Sequence, residues 1–171
     1  MTTSILAPNQ TVLTSGLPRL SANLALTVLL AGALATAAFD LFGQAIAPML
    51  GLAKLAPIPL ANATWKVAFG EAYRPGAHLL HYLAGLIAYP AGWALLWRPF
   101  QARFAPQLHW FASATLYGIA LWVFALYVMA HLIVGNAAFL GFTQITWVAL
   151  FGHILFAWVT AAYFAAADRQ A

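Results

Sequence analysis

FLGFTQITWVALFGHILFAWVTAAYFAA, residues Phe139 to Ala166, contains no Lys, Arg, Asp or Glu and a single histidine. A helix rises about 1.5 Å per residue and the hydrocarbon core of a bilayer is about 30 Å thick, so about 20 apolar residues make one crossing. The stretch therefore reads as a membrane-spanning helix. Outward from it, the same arithmetic finds three more spans: Ala22 to Ala47, ended by Pro48; Ala77 to Trp97, ended by Arg98-Pro99; and about Leu108 to Val134. A short Gly135-Asn136 turn makes the last two spans antiparallel neighbours.

The composition agrees. Of 171 residues, 64% are hydrophobic and only 6% charged, too few charges to cover a water-soluble globule. The expected fold is all-α: an integral membrane protein built as a four-transmembrane-helix bundle with both termini on the same side. Residues 1–21 and 167–171 are expected to be tails. The first lacks the charged start and apolar core of a secretory signal and is expected to be retained and poorly ordered. The connection from Leu50 to Gly76 holds Lys54, Lys66, Glu71 and Arg74 and is too polar to cross unaided. Its Asn62-to-Ala72 part, with Trp65 and Phe69 four apart, predicts a short helix lying in the interface.

Zero cysteine excludes disulfides, thiolate metal sites, iron–sulfur clusters and cysteine nucleophiles. The net charge of +4 concerns orientation and anionic headgroups and does not imply nucleic acid. Arg19, Arg98, Arg103 and Arg169 share one side, and Lys54, Lys66 and Arg74 the other. The short Arg98-to-Arg103 loop weighs most under the positive-inside rule, which puts the termini in the cytoplasm.

An ionisable side chain in lipid needs a partner, a cavity or a ligand. His78 and His81 open the second span three residues apart, and His131 lies near the end of the third. Asp40 sits on a stripe with Thr36 and Gln44 at spacings of four, about 10 Å deep. These residues fall at a common level. His153 lies deeper, on a stripe with Thr146 and Thr160 at spacings of seven, a face expected to point inward.

Three uses fit such a set. Asp40, His81 and His131 supply the nitrogen and carboxylate donors that a divalent transition metal takes. His81 or His78 facing His131 gives the two axial ligands of a b-type haem, with His153 an auxiliary cofactor-binding residue. Asp40, His81 and His131 also form a protonatable chain. Against these stands the plainer reading of His81, His131 and His153 as interhelical hydrogen-bond partners, and of His78 and His109 as interface residues. Ala31 to Ala38, and Ala114 with Gly118, are small-residue contact faces between helices.

The pattern resembles the YagU-like family of small bacterial inner-membrane proteins. The resemblance rests on Ala31-Gly32, Asp40, Phe42 to Gln44, His78 and His81, His131, and Phe151 to His153, and spans about residues 25 to 165. It implies this architecture and a bacterial inner-membrane location, and it brings no known reaction.

Three functional classes follow from the residues: a metal- or haem-binding protein or enzyme subunit, a structural or assembly subunit partnered by other membrane subunits or by copies of itself, and a transporter or proton conduit. The last draws on Tyr89-Pro90 and Gly92, which suggest a discontinuous second span. No nucleophile–base pair, phosphate loop or paired carboxylates can be named, so enzyme status stays open.

Overall fold

The structure is a computed structural model, and it describes residues 21–169. Arg19, the expected N-terminal tail up to residue 20, and the last two residues of the chain lie outside that range. The described residues form helices and no strand: α1 (Ala22–Met49), α2 (Pro57–Phe69), α3 (Arg74–Phe104), α4 (Trp110–Ile133) and α5 (Gln144–Asp168). All except α2 are long and apolar enough to cross a membrane. Ser21 starts α1 as its N-cap, its hydroxyl accepting from the Leu24 N–H at 3.1 Å.

Two expected helix ends are corrected. The first span does not stop at Pro48, nor the second at Arg98-Pro99; α1 runs on to Met49 and α3 from Arg74 through Pro90 and Pro99 to Phe104. A proline in a helix lacks an N–H and its ring collides with the carbonyl four residues earlier. Here a π-helical turn precedes each one: Phe42–Ile46 before Pro48, Ala84–Ala88 before Pro90, and Trp93–Trp97 before Pro99. Each widened turn contains the carbonyl that its proline would strike, on Gln44, Leu86 and Leu95 respectively, and carries the chain past the clash. The discontinuity expected at Tyr89-Pro90 thus takes the form of a widened turn in a continuous helix.

The start of the fourth span is also corrected. Phe139, Leu140, Gly141 and Phe142 have φ of 49°, 53°, 69° and 54°, a left-handed turn, and the helix begins only at Gln144. Left-handed backbone costs a non-glycine residue about 1–2 kcal/mol. Local contacts offset it: the Thr146 hydroxyl donates to the Phe139 carbonyl at 2.6 Å, and the Phe139 ring packs on Trp122 at 4.6 Å. The short helix expected within the connection is shifted as well. It starts at Pro57, whose fixed φ suits a first helical turn, and ends where Gly70 takes φ 89°, so it occupies Pro57–Phe69 instead of Asn62 to Ala72.

Helix α5 is the centre of the bundle, half of its apolar window being buried, and it packs on α1 and α4. Small residues set the close approaches, as expected for both faces named above. Ala31, Ala35, Ala114 and Ala157 are fully buried. A Cβ on Gly118 would stand 2.6 Å from the Ile154 Cα, and one on Gly32 2.6 Å from the Leu86 carbonyl carbon. The bundle's outer faces carry exposed Leu34, Leu96, Leu116 and Phe151.

One end of the bundle is tied by side chains. The Trp97 indole N–H donates to the Ser113 hydroxyl at 2.9 Å, Ser113 donates to Gln101 Oε1 at 2.5 Å, and Gln101 Nε2 donates to the Leu108 carbonyl at 2.9 Å. Ser113 is completely buried. Ser113→Ala leaves an indole N–H and an amide oxygen without their partner, and thermal unfolding in detergent should show a loss of about 1–3 kcal/mol. An unchanged midpoint would mean that water replaces the hydroxyl.

Candidate functional site

A cavity of about 580 Å³ opens within the bundle between α1, α3, α4 and α5, and α2 with the segment before it forms part of its wall. Most of the wall is apolar: Phe39, Leu80, Leu126 and Phe156 are typical. Widened turns face it from two helices, bringing Ala84, Gly85 and Ala88 of α3 and Phe124, Leu126 and Met129 of α4 to the surface. Such turns recur at functional sites because they re-aim side chains and backbone. Only a few polar groups interrupt the wall, among them Thr36, His81, Asn136 and His153. An apolar concavity of a few hundred Å³ with sparse polar groups is the usual form of a small-molecule site.

Asp40 and His81 meet, as their common level predicts. His81 Nε2 lies 3.3 Å from both Asp40 carboxylate oxygens, and the Gln44 amide, one turn along α1, donates to Oδ1 at 2.9 Å. The spacing of four puts Thr36 below them on the same stripe. Gly85 lets Thr36 approach α3, since any Cβ there would collide with the Thr36 hydroxyl. That hydroxyl is buried and has no hydrogen-bond partner among the described residues.

His153 comes from α5. It is 6% exposed, its Nδ1 lies 2.7 Å from the Ala149 carbonyl one turn earlier, and the Phe39 ring stands edge-on at 5.1 Å. A carbonyl only accepts, so Nδ1 carries the proton, and in the neutral ring Nε2 keeps its lone pair. The inward stripe is as expected, Thr146 and Thr160 being completely buried. His153 bonds neither of them, and Thr160 Oγ1 has no partner among the described residues.

The remaining histidines are elsewhere. His131 turns its Nδ1 to the Asn136 carbonyl at 2.7 Å and packs on Tyr127 at 5.3 Å. His78 stacks on Tyr82 and lines a different cleft. His109 caps α4, Nδ1 accepting from the Phe111 N–H at 3.3 Å. Asp40, His81 and His131 therefore do not gather as three ligands, and among the described residues no group of three or more His, Cys, Asp or Glu is placed to hold a metal ion. Sequence reasoning joined His81 to His131; the cavity instead joins His81 to His153. It also missed Phe39, Asn136 and Met129 as wall residues, which no period or motif marks.

A double-mutant cycle separates these pairings. His81→Ala with Asp40→Ala should show coupling of about 1 kcal/mol in unfolding free energy, while His131→Ala with Asp40→Ala should be additive. Coupling of the second pair and additivity of the first would reverse the assignment. Comparison of the chain with family models, curated proteins and solved structures finds no match.

Proposed function

We propose that this chain is a multi-pass protein of the bacterial inner membrane that holds a small lipophilic molecule inside its bundle, between the His81–Asp40 pair and His153. The observation that carries this reading is the largely apolar cavity of about 580 Å³ with an imidazole from each of two helices, α3 and α5. An outer surface of exposed leucine and phenylalanine supports residence in lipid, where α2 lies at the interface and Arg98 and Arg103 face the cytoplasm together with the termini. The three polar positions differ in kind. With its Nε2–H on the Asp40 carboxylate, a neutral His81 ring offers Nδ1 as an acceptor, and only a protonated ring donates there; the Nε2 of His153 serves as an acceptor; the Thr36 hydroxyl does either. A ligand with one or two oxygen functions on an apolar body satisfies them, and its body fills the rest.

The metal and haem readings draw less from this geometry. His131 is turned to Asn136 and is not on the cavity wall, and the two imidazoles that are each have one ring nitrogen engaged, His81 Nε2 on Asp40 and His153 Nδ1 on the Ala149 carbonyl. The test is extraction: protein purified in a mild detergent is denatured in organic solvent and the released material is weighed by mass spectrometry. A stoichiometric apolar compound that is missing from His153→Leu protein supports the reading. Release of detergent and bulk lipid alone, identical in both proteins, contradicts it.

A further inference from the structure

Against the same wall lies a second space of different character. A cleft of about 920 Å³ is lined by Lys54, Lys66, Arg74 and His78, with Gln44 and Asn62 between them, and adjoins the apolar cavity along Leu55, Ala56, Pro57, Pro59 and Ala63. Three fixed cations converge here from three separate elements: the segment after α1, the last turn of α2 and the first residue of α3. No carboxylate lines the cleft. Of the chain's acids, Asp40 is bonded to His81 and Gln44, Asp168 pairs with Arg98 at 2.7 Å, and Glu71 forms no ion pair with the three cations. Two further features favour an anion. Helix α3 begins at this place with no side chain capping it, and its positive dipole end lies where Arg74 lines the cleft. Asn62 Oδ1 is buried without a partner, and a half-turn of that amide puts its NH2 in the same position.

We propose that this cleft binds the phosphate of a single-chain anionic amphiphile whose hydrocarbon part lies in the adjoining cavity. The assignment rests on the ligand-binding reading above and specifies its ligand: a lipid phosphate. Cation clusters at a membrane surface attract anionic headgroups, each Lys or Arg adding a similar increment, and a phosphate supplies the counter-charge that these three exposed cations lack. The apolar neighbour selects a lipid over free phosphate, since inorganic phosphate leaves the cavity unfilled.

The experiment is native mass spectrometry of the full chain in a non-ionic detergent with three probes: lysophosphatidic acid, monoacylglycerol of the same chain, and inorganic phosphate. The intact protein should prefer lysophosphatidic acid over monoacylglycerol by about tenfold or more, and Lys54→Gln/Lys66→Gln protein should lose that preference while still binding monoacylglycerol. Both substitutions lie outside the four long helices, and retained monoacylglycerol binding certifies the fold. Equal preference in both proteins overturns the headgroup assignment and leaves the cavity reading standing. Binding of neither lipid overturns the cavity reading itself. Inorganic phosphate that binds alone and displaces lysophosphatidic acid shows that free phosphate is the ligand and overturns the lipid assignment.

Discussion

Gly32→Val should destabilise the bundle by about 3 kcal/mol, the largest single-residue loss expected outside the cavity. A Cβ at this position would stand 2.6 Å from the Leu86 carbonyl carbon and 2.7 Å from its Cα. Both are backbone atoms, so no rotamer change clears them and α1 must move away from α3 as a body. The same contact brings Gly32 to the carbonyl that Pro90, four residues on, cannot serve as a donor, so separation also uncovers a polar group. Gly51→Ala is the control. It has φ 75° and nothing within 4 Å of a Cβ, so it meets only the backbone cost of about 1–2 kcal/mol. Unfolding of both variants in detergent micelles gives the comparison. Equal losses would mean that α1 and α3 do not touch along this line.

Ala84→Phe should abolish ligand binding and leave the unfolding midpoint unchanged or raised. Ala84 lies on the widened turn of α3 and its methyl faces the cavity. A benzyl group there enters space that no protein atom occupies, so the overpacking that penalises a filled core does not arise, and new apolar contacts compensate the lost rotamer freedom. The ligand then competes with a covalently fixed ring. The opposite signs of the two effects make the result diagnostic: a variant that loses both stability and ligand has merely been damaged, and one that keeps both places the ligand elsewhere. The loss should be read by the extraction experiment, with unfolding measured on the same preparation.

The class of fold was legible because it depends on composition and run length. Hydropathy alone locates α1, α3, α4 and α5, and the alternation of small residues at Ala31, Gly32 and Ala35, and at Ala114 and Gly118, marks where they touch. Two helix ends were misread where proline was taken as a stop, because a π turn absorbs Pro48 and Pro99 and nothing in local sequence distinguishes absorption from termination. The left-handed turn at Phe139 to Phe142 was hidden for the converse reason: three of its four residues are apolar and bulky, and it is held by Thr146 and Trp122 from elsewhere in the chain.

The site was half visible. The spacing of four between Asp40 and Gln44, and a shared depth with His81, anticipate the hydrogen-bonded trio. Depth says nothing of azimuth around the bundle, though, and azimuth is what turns His131 toward Asn136 and His153 into the cavity. The basic residues Lys54, Lys66 and Arg74 served only to orient the chain, because their convergence depends on how α2 folds back against α3.

Photolabelling tests most directly whether the cavity admits a ligand. The protein in bilayers is irradiated with a small apolar diazirine, and the adducts are located by peptide mass spectrometry. An open, apolar interior predicts adducts on Phe156, which is 3% exposed, and on Leu126, which is 4% exposed, and predicts that Ala84→Phe removes them while labelling of the outward Leu116 and Phe151 continues. Adducts confined to Leu116, Phe151 and other outward residues in both proteins would contradict a ligand-accessible interior.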